Sequence, residues 1–236
     1  MGVFDRFKLN SVRVAVGKAR GATLYFPGCT TQKYLPEIAE NYKSLLNDLG
    51  IPIRTMENWC CGRPLKEQGY TAEYVAHRKK MKERLTQNGI TTIITNCAQC
   101  ALTLQQDYDI TVKHTTQVIW EQRNKLQQYN QNEVTFQDNC VAARKLGLTN
   151  QARDILVQTG CRVKEFTECK AGVRCCGGSC GLNNNAGTVA TKLAQRRLRD
   201  APVNTIVTDD PHCYIQLKRN TQNKDIIELS EMLVEI

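Results

Sequence analysis

Nine of the twelve cysteines in this 236-residue chain fall into two sets of similar spacing. The first holds Cys29, Cys60, Cys61, Cys97 and Cys100; the second holds Cys140, Cys175, Cys176 and Cys213. Each runs from a lone cysteine to a Cys-Cys-Gly triplet, Cys60-Cys61-Gly62 or Cys175-Cys176-Gly177, and then to a C-x-x-C or its remnant. Three chemistries use thiols in such numbers. Disulfides match worst, because a vicinal Cys-Cys bridge is strained and a chain of this size buries a core without staples. Zinc takes four thiolates in a tetrahedron and often uses C-x-x-C as a half-site, which leaves the fifth cysteine of the first set unexplained. Iron-sulfur clusters spread soft thiolate ligands over several metal atoms, so they accommodate five. Ligand count therefore favours iron-sulfur over zinc at the first set.

The elements that must position these thiols are also duplicated. The stretch 92–100 matches 205–213, 22–27 pairs with 133–137, and 112–119 pairs with 226–233. The last pair reads as an extended stub, a Thr or Ser cap and a short helix. The repeat is too long for a solenoid and suits two pseudo-symmetric domains, 22–130 and 131–236, behind a basic N-terminal arm over 1–21. Strands are predicted over 23–26, 51–56 and 91–95, then 134–136, 162–166 and 205–208. Helices are predicted over 36–49, 72–87, 150–159 and 188–200. Such alternation gives an α/β fold of two repeats, with parallel sheets, flanking helices and metal sites in the loops at the strand carboxyl ends.

The formal charge of +9 counts every cysteine as a neutral thiol. Ligating cysteines are thiolates, so part of the basic excess compensates buried clusters. Arg6, Lys8, Arg13, Lys18 and Arg20 concentrate charge in the arm, which reads first as an unstructured solubilising tail and alternatively suits an acidic partner or the surface of an anionic membrane. No nucleic-acid reading module and no aromatics interleaved with basic residues are found, so nucleic-acid binding is not expected. The absence of a signal-peptide core and of any long apolar run predicts a cytoplasmic chain without a transmembrane segment. In that reducing compartment, clustered cysteines serve metal or redox chemistry.

Tyr25-Phe26-Pro27-Gly28-Cys29, Trp59-Cys60-Cys61-Gly62 and Asn96-Cys97-Ala98-Gln99-Cys100 resemble the first copy of the cysteine-rich CCG domain. That domain occurs twice in the B or D subunits of heterodisulfide reductases. It is also found in iron-sulfur subunits of glycolate, lactate, glycerol-3-phosphate and some succinate dehydrogenases. The resemblance implies a 4Fe-4S cluster, of the non-cubane kind that cleaves a disulfide, held by Cys29, Cys60, Cys61, Cys97 and Cys100. Cys60 and Cys61 would be the catalytic pair. It further implies an oxidoreductase subunit that is not self-sufficient: with no ferredoxin-type cysteine run and no flavin motif, electrons must come from a ferredoxin-like or flavin-containing subunit. The alternatives are a zinc-stabilised interaction module and an electron-relaying dehydrogenase subunit.

The second copy departs from this pattern. Asp210-Pro211-His212-Cys213 replaces one thiolate by a carboxylate, and Cys180 stands where relatives carry glycine. The candidate ligands there are Cys140, Cys175, Cys176, Cys180, Asp210 and Cys213, around a 4Fe-4S cluster, a zinc ion or nothing. His212 is expected near this second site as a ligand, a proton donor or a plain loop residue. Cys161 is expected to be a buried apolar thiol, Cys169 a packed or exposed one, and Trp59 a cluster shield or ordinary core. His77 and His114 carry no motif.

Overall fold

The structure, a computed structural model, describes residues 21–56, 59–128, 132–179 and 181–234. The basic arm over 1–20 and Cys180 lie outside the described residues. Two four-stranded, wholly parallel sheets are present. Strands β1 (Ala22–Tyr25), β2 (Arg54–Thr55), β3 (Ile90–Thr95) and β4 (Thr111–His114) line up as β2-β1-β3-β4. Strands β5 (Glu133–Phe136), β6 (Arg162–Val163), β7 (Thr205–Thr208) and β8 (Asp225–Glu228) repeat that order as β6-β5-β7-β8. The central strands are rich in β-branched residues and largely buried, as parallel strands covered by helices require.

The connections repeat as well. In the first copy, α1 (Gly28–Tyr34) and α2 (Pro36–Asp48) join β1 to β2, and α3 (Arg63–Glu67) and α4 (Thr71–Gln87) join β2 to β3. Helix α5 (Ala98–Asp107) then leads to β4, and α6 (Thr115–Glu121) follows it. The second copy answers with α7 (Cys140–Lys145), α8 (Gln151–Gln158), α9 (Leu182–Asn185), α10 (Gly187–Arg199), α11 (Pro211–Asn220) and α12 (Glu231–Val234). The four helices predicted from periodicity are found with ends shifted by about one residue. The short helices that begin at the cysteines were not predicted, because runs of Cys, Gly and Gln carry no apolar stripe. The expected Thr cap on α6 is replaced by His114, whose side chain accepts the Thr116 N–H at 3.4 Å.

The copies share one core. Tyr25, Leu46, Ile94 and Ile119 of the first pack in the same cluster as Phe136, Ile155, Val207 and Leu233 of the second. Helix α2 packs on α12, and its counterpart α8 packs on α6; α5 meets α7, and α11 meets α1. Every such contact has its mirror, so the copies are related by a pseudo-two-fold axis, as in an isologous dimer. Burial of each large apolar side chain stabilises this junction by about 1.5–3 kcal/mol. A buried polar link crosses it too: the Tyr42 hydroxyl donates to Glu228 Oε1 at 2.6 Å. Among the described residues no helix is long and apolar enough to cross a membrane.

Candidate metal centre

The first cysteine set gathers at the carboxyl ends of β1, β2 and β3. Cys29 lies in the first turn of α1, Cys60 and Cys61 follow β2, Cys97 caps α5, and Cys100 sits in its first turn. Their thiols are neighbours that perturb one another's acidity in series, Cys29 with Cys60, Cys60 with Cys61, Cys61 with Cys100, and Cys100 with Cys97. Backbone N–H groups turn toward the sulfurs, with Gly62 donating to Cys60 Sγ and Cys100 donating to Cys97 Sγ, both at 3.4 Å. Gly28 and Gly62 hold the left-handed conformations these turns need, at φ +78° and +81°. A Cβ on Gly28 would stand 3.0 Å from Cys100 Sγ, and one on Gly62 would strike His77 at 2.7 Å. His77, given no motif by the sequence, packs on the Cys-Cys-Gly turn and meets the Cys60 carbonyl at 2.8 Å.

The second set repeats the chain of contacts, from Cys140 to Cys175, Cys175 to Cys176, and Cys176 to Cys213, the last at 3.3 Å between sulfurs. Gly177 N–H reaches Cys175 Sγ at 3.3 Å, as Gly62 does Cys60. The hydrogen bond from Cys140 holds the Cys175 thiol well below its usual range, with Arg144 adding to the effect. Asp210 stands in the place of Cys97, and its carboxylate is occupied. Oδ1 accepts the His212 and Cys213 N–H groups at 3.0 and 3.2 Å, capping α11, while Oδ2 accepts the Ala98 N–H of the first copy at 3.3 Å. The loop before Cys140 is clamped from below: Arg153 grips both oxygens of buried Asp138 at 2.8 Å and also pairs with Glu165.

The copies exchange side chains around the first set. Gln99 Nε2 donates to Ser179 Oγ, in the second Cys-Cys-Gly turn, at 2.8 Å. His212, in the position equivalent to Gln99, reaches back to line the same cavity as Cys97, and the two groups perturb each other's acidity. The expected place of His212 beside the second site is thus corrected to the first. The reason is the pseudo-two-fold axis, which brings the starts of α5 and α11 together. A cavity of about 370 Å3 opens here, lined by Cys29, Cys61, Cys97 and Cys100 and, from the second copy, by His212 and Asn183. Cys60 stands outside its lining.

The donor chemistry fits an iron-sulfur group: five soft thiols in one chain, backbone N–H groups aimed at sulfur, and glycine where a Cβ would crowd Cys100. Among the described residues no three His, Cys, Asp or Glu side chains are grouped closely enough to hold a single metal ion. Trp59 is buried in the apolar cluster that contains Cys61, Cys97 and Cys100, under the Arg84 guanidinium. Cys161 is buried in the shared core, as expected, and Cys169 is half-buried against Glu165. His114 is buried, 4.0 Å from Asp209.

The chain is 24% identical over 229 residues to one subunit of the fumarate reductase (CoM/CoB) of Methanothermobacter marburgensis, covering 92% of this chain and 46% of that protein. It is 26% identical over 201 residues to an uncharacterized iron-sulfur protein of Methanocaldococcus jannaschii, covering 82% and 40%. It is 26% identical over 196 residues to one subunit of the dihydromethanophenazine:CoB–CoM heterodisulfide reductase of Methanosarcina barkeri, covering 75% and 48%. The chain spans less than half the length of these relatives. The profile of the cysteine-rich domain, CCG, matches twice, over residues 23–105 and 134–218, and the chain belongs to that family.

Proposed function

We propose that this chain is an iron-sulfur redox subunit. In this reading Cys29, Cys60, Cys61, Cys97 and Cys100 hold a 4Fe-4S cluster, and a thiol/disulfide couple is presented in the cavity between the copies. The observation that carries the reading is that four of the five thiols of the first set, Cys29, Cys61, Cys97 and Cys100, line that one cavity. The likeness to a heterodisulfide reductase subunit supports it. When bound, such a cluster supplies one-electron transfer at thiolate-ligated iron. The chain's own residues do the rest. The vicinal pair Cys60 and Cys61 takes the catalytic position, with Cys61 facing the cavity. His212 holds a proton against Cys97, and buried Trp59 keeps water from the apolar side.

Cys140, Cys175, Cys176 and Cys213 are the four thiols a second cluster would take; as they stand, no three of these described residues are gathered tightly enough for a single zinc ion. Asp210 enters as a helix cap and a clasp to the first copy. Electrons reach the chain from a ferredoxin-like or flavin-containing subunit. The likeness to a fumarate reductase subunit favours one other reading, electron relay without disulfide chemistry.

Iron, zinc and acid-labile sulfide in anaerobically purified protein test the proposal. About four irons and four sulfides per chain assign a cluster to the first set alone, and about eight of each assign both. Zinc without sulfide, persisting after anaerobic reconstitution, overturns the redox reading. Cys61→Ser separates the two redox readings: disulfide cleavage in the reconstituted complex is lost while the other centres still reduce, whereas relay without disulfide chemistry predicts no disulfide turnover even in the parent.

A further inference from the structure

A second cavity, of about 270 Å3, lies beside the second cysteine set and shares no lining residue with the first. Arg144 of α7, Arg174, and Arg196 and Arg197 of α10 line it, with Cys175 in its wall and no acidic side chain in the lining. Among the described residues only Arg174 of the four is paired with acids, Glu168 and Asp200. Arg144 gives Nε–H and one Nη2–H to the Ala171 and Val173 carbonyls, two of its five donors. Arg196 is exposed and forms no ion pair among the described residues. Arg197 is 2% exposed, lies over the Phe166 ring, and bonds Gln137 and the Glu168 carbonyl; its Nη2 has no hydrogen-bond partner among the described residues.

Three guanidiniums therefore border one hollow whose lining holds no carboxylate, with Glu168 and Asp200 standing outside that lining on Arg174. Guanidinium groups are matched by the paired oxygens of phosphate, sulfonate and carboxylate groups. The volume is several times the ~30 Å3 that one water occupies, so an oxyanion fits with room for a small body attached to it.

We propose that this cavity binds a small oxyanion, the phosphate or sulfonate group of a low-molecular-weight ligand, held by Arg144, Arg196 and Arg197. The site adjoins the second cysteine set through Cys175 and shares no lining residue with the cavity of the first set.

Titration calorimetry of the purified full chain with inorganic phosphate, phenyl phosphate and methanesulfonate, each against chloride at equal ionic strength, tests it. Saturable binding of at least one of the three is expected. Stronger binding of phenyl phosphate than of inorganic phosphate assigns an organic ligand, and equal binding assigns the free anion. Arg196→Gln, at an exposed position, should weaken binding about tenfold, while Lys192→Gln, exposed on the same helix but outside the cavity, should leave it unchanged. No saturable binding of any probe, or equal effects of the two substitutions, overturns the proposal.

Discussion

The imidazole of His212, on α11 of the second copy, shares a cavity wall with the thiol of Cys97, which caps α5 of the first, and each shifts the other's acidity. The bond from Cys100 is the main influence holding the Cys97 thiol down, to about 6, with His212 assisting against burial. Burial opposes the charge on His212, but Cys97 and the Asp210 carboxylate push it up, to about 9. Between those values the pair is thiolate and imidazolium. In metal-free protein, ultraviolet thiolate absorbance should lose one thiolate as pH falls through about 6, with Cys97→Ser as reference. His212→Asn should move that step up by about one unit; an unmoved step would contradict the pairing.

Asp210 joins a helix cap to a contact between the copies. Asp210→Ala removes the cap and leaves the Ala98 N–H without its acceptor, for a loss of about 2 kcal/mol. Asp210→Asn keeps a capping oxygen and should lose about half as much. Urea unfolding of both variants gives the comparison.

Gly28 sits at φ +78° with the Cys100 sulfur 3.0 Å from where a Cβ would be. Gly28→Ala should cost about 1–2 kcal/mol of backbone strain. It should also lower iron and sulfide per chain while the far-ultraviolet circular dichroism remains that of the parent. Full metal content in this variant would mean that the thiol chain is not the metal-holding surface.

Glu228 is fully buried between the copies, and burial pushes its carboxyl up to about 8, against bonds from Ser230 and Tyr42. In the unfolded chain the group titrates near about 4.3. Between those values the folded state binds the extra proton, so this group's contribution to stability is full below the lower value and is lost as pH rises through about 8. Glu228→Gln should flatten that fall and gain about 2 kcal/mol near pH 9 relative to pH 6. Denaturant midpoints at the two pH values measure it.

Much of this was legible in the residues. Strands such as 205–208 and helices such as 36–48 follow from β-branched runs and amphipathic spacing, and the duplicated cysteines place both sets at the strand carboxyl ends. The short helices at Cys29, Cys97 and Cys140 were hidden because none carries an apolar stripe: the side chains of Cys97 and Asn139 cap the latter two, and the one at Cys29 has no side-chain cap and depends on tertiary contact. His212 was assigned to the wrong copy because local pattern holds no distance between copies. One signal was available: His212 occupies the place of Gln99, at the start of a helix that a two-fold axis would turn toward its twin.

The crossing of Gln99 and His212 makes the two halves interdependent. The second supplies the first with a wall, a proton and a brace: Asn183 and His212 line its cavity, His212 stands beside Cys97, and Asp210 clasps Ala98. Cut apart, the first half would lose all three at once, so the duplicated unit is divisible in sequence but not in structure.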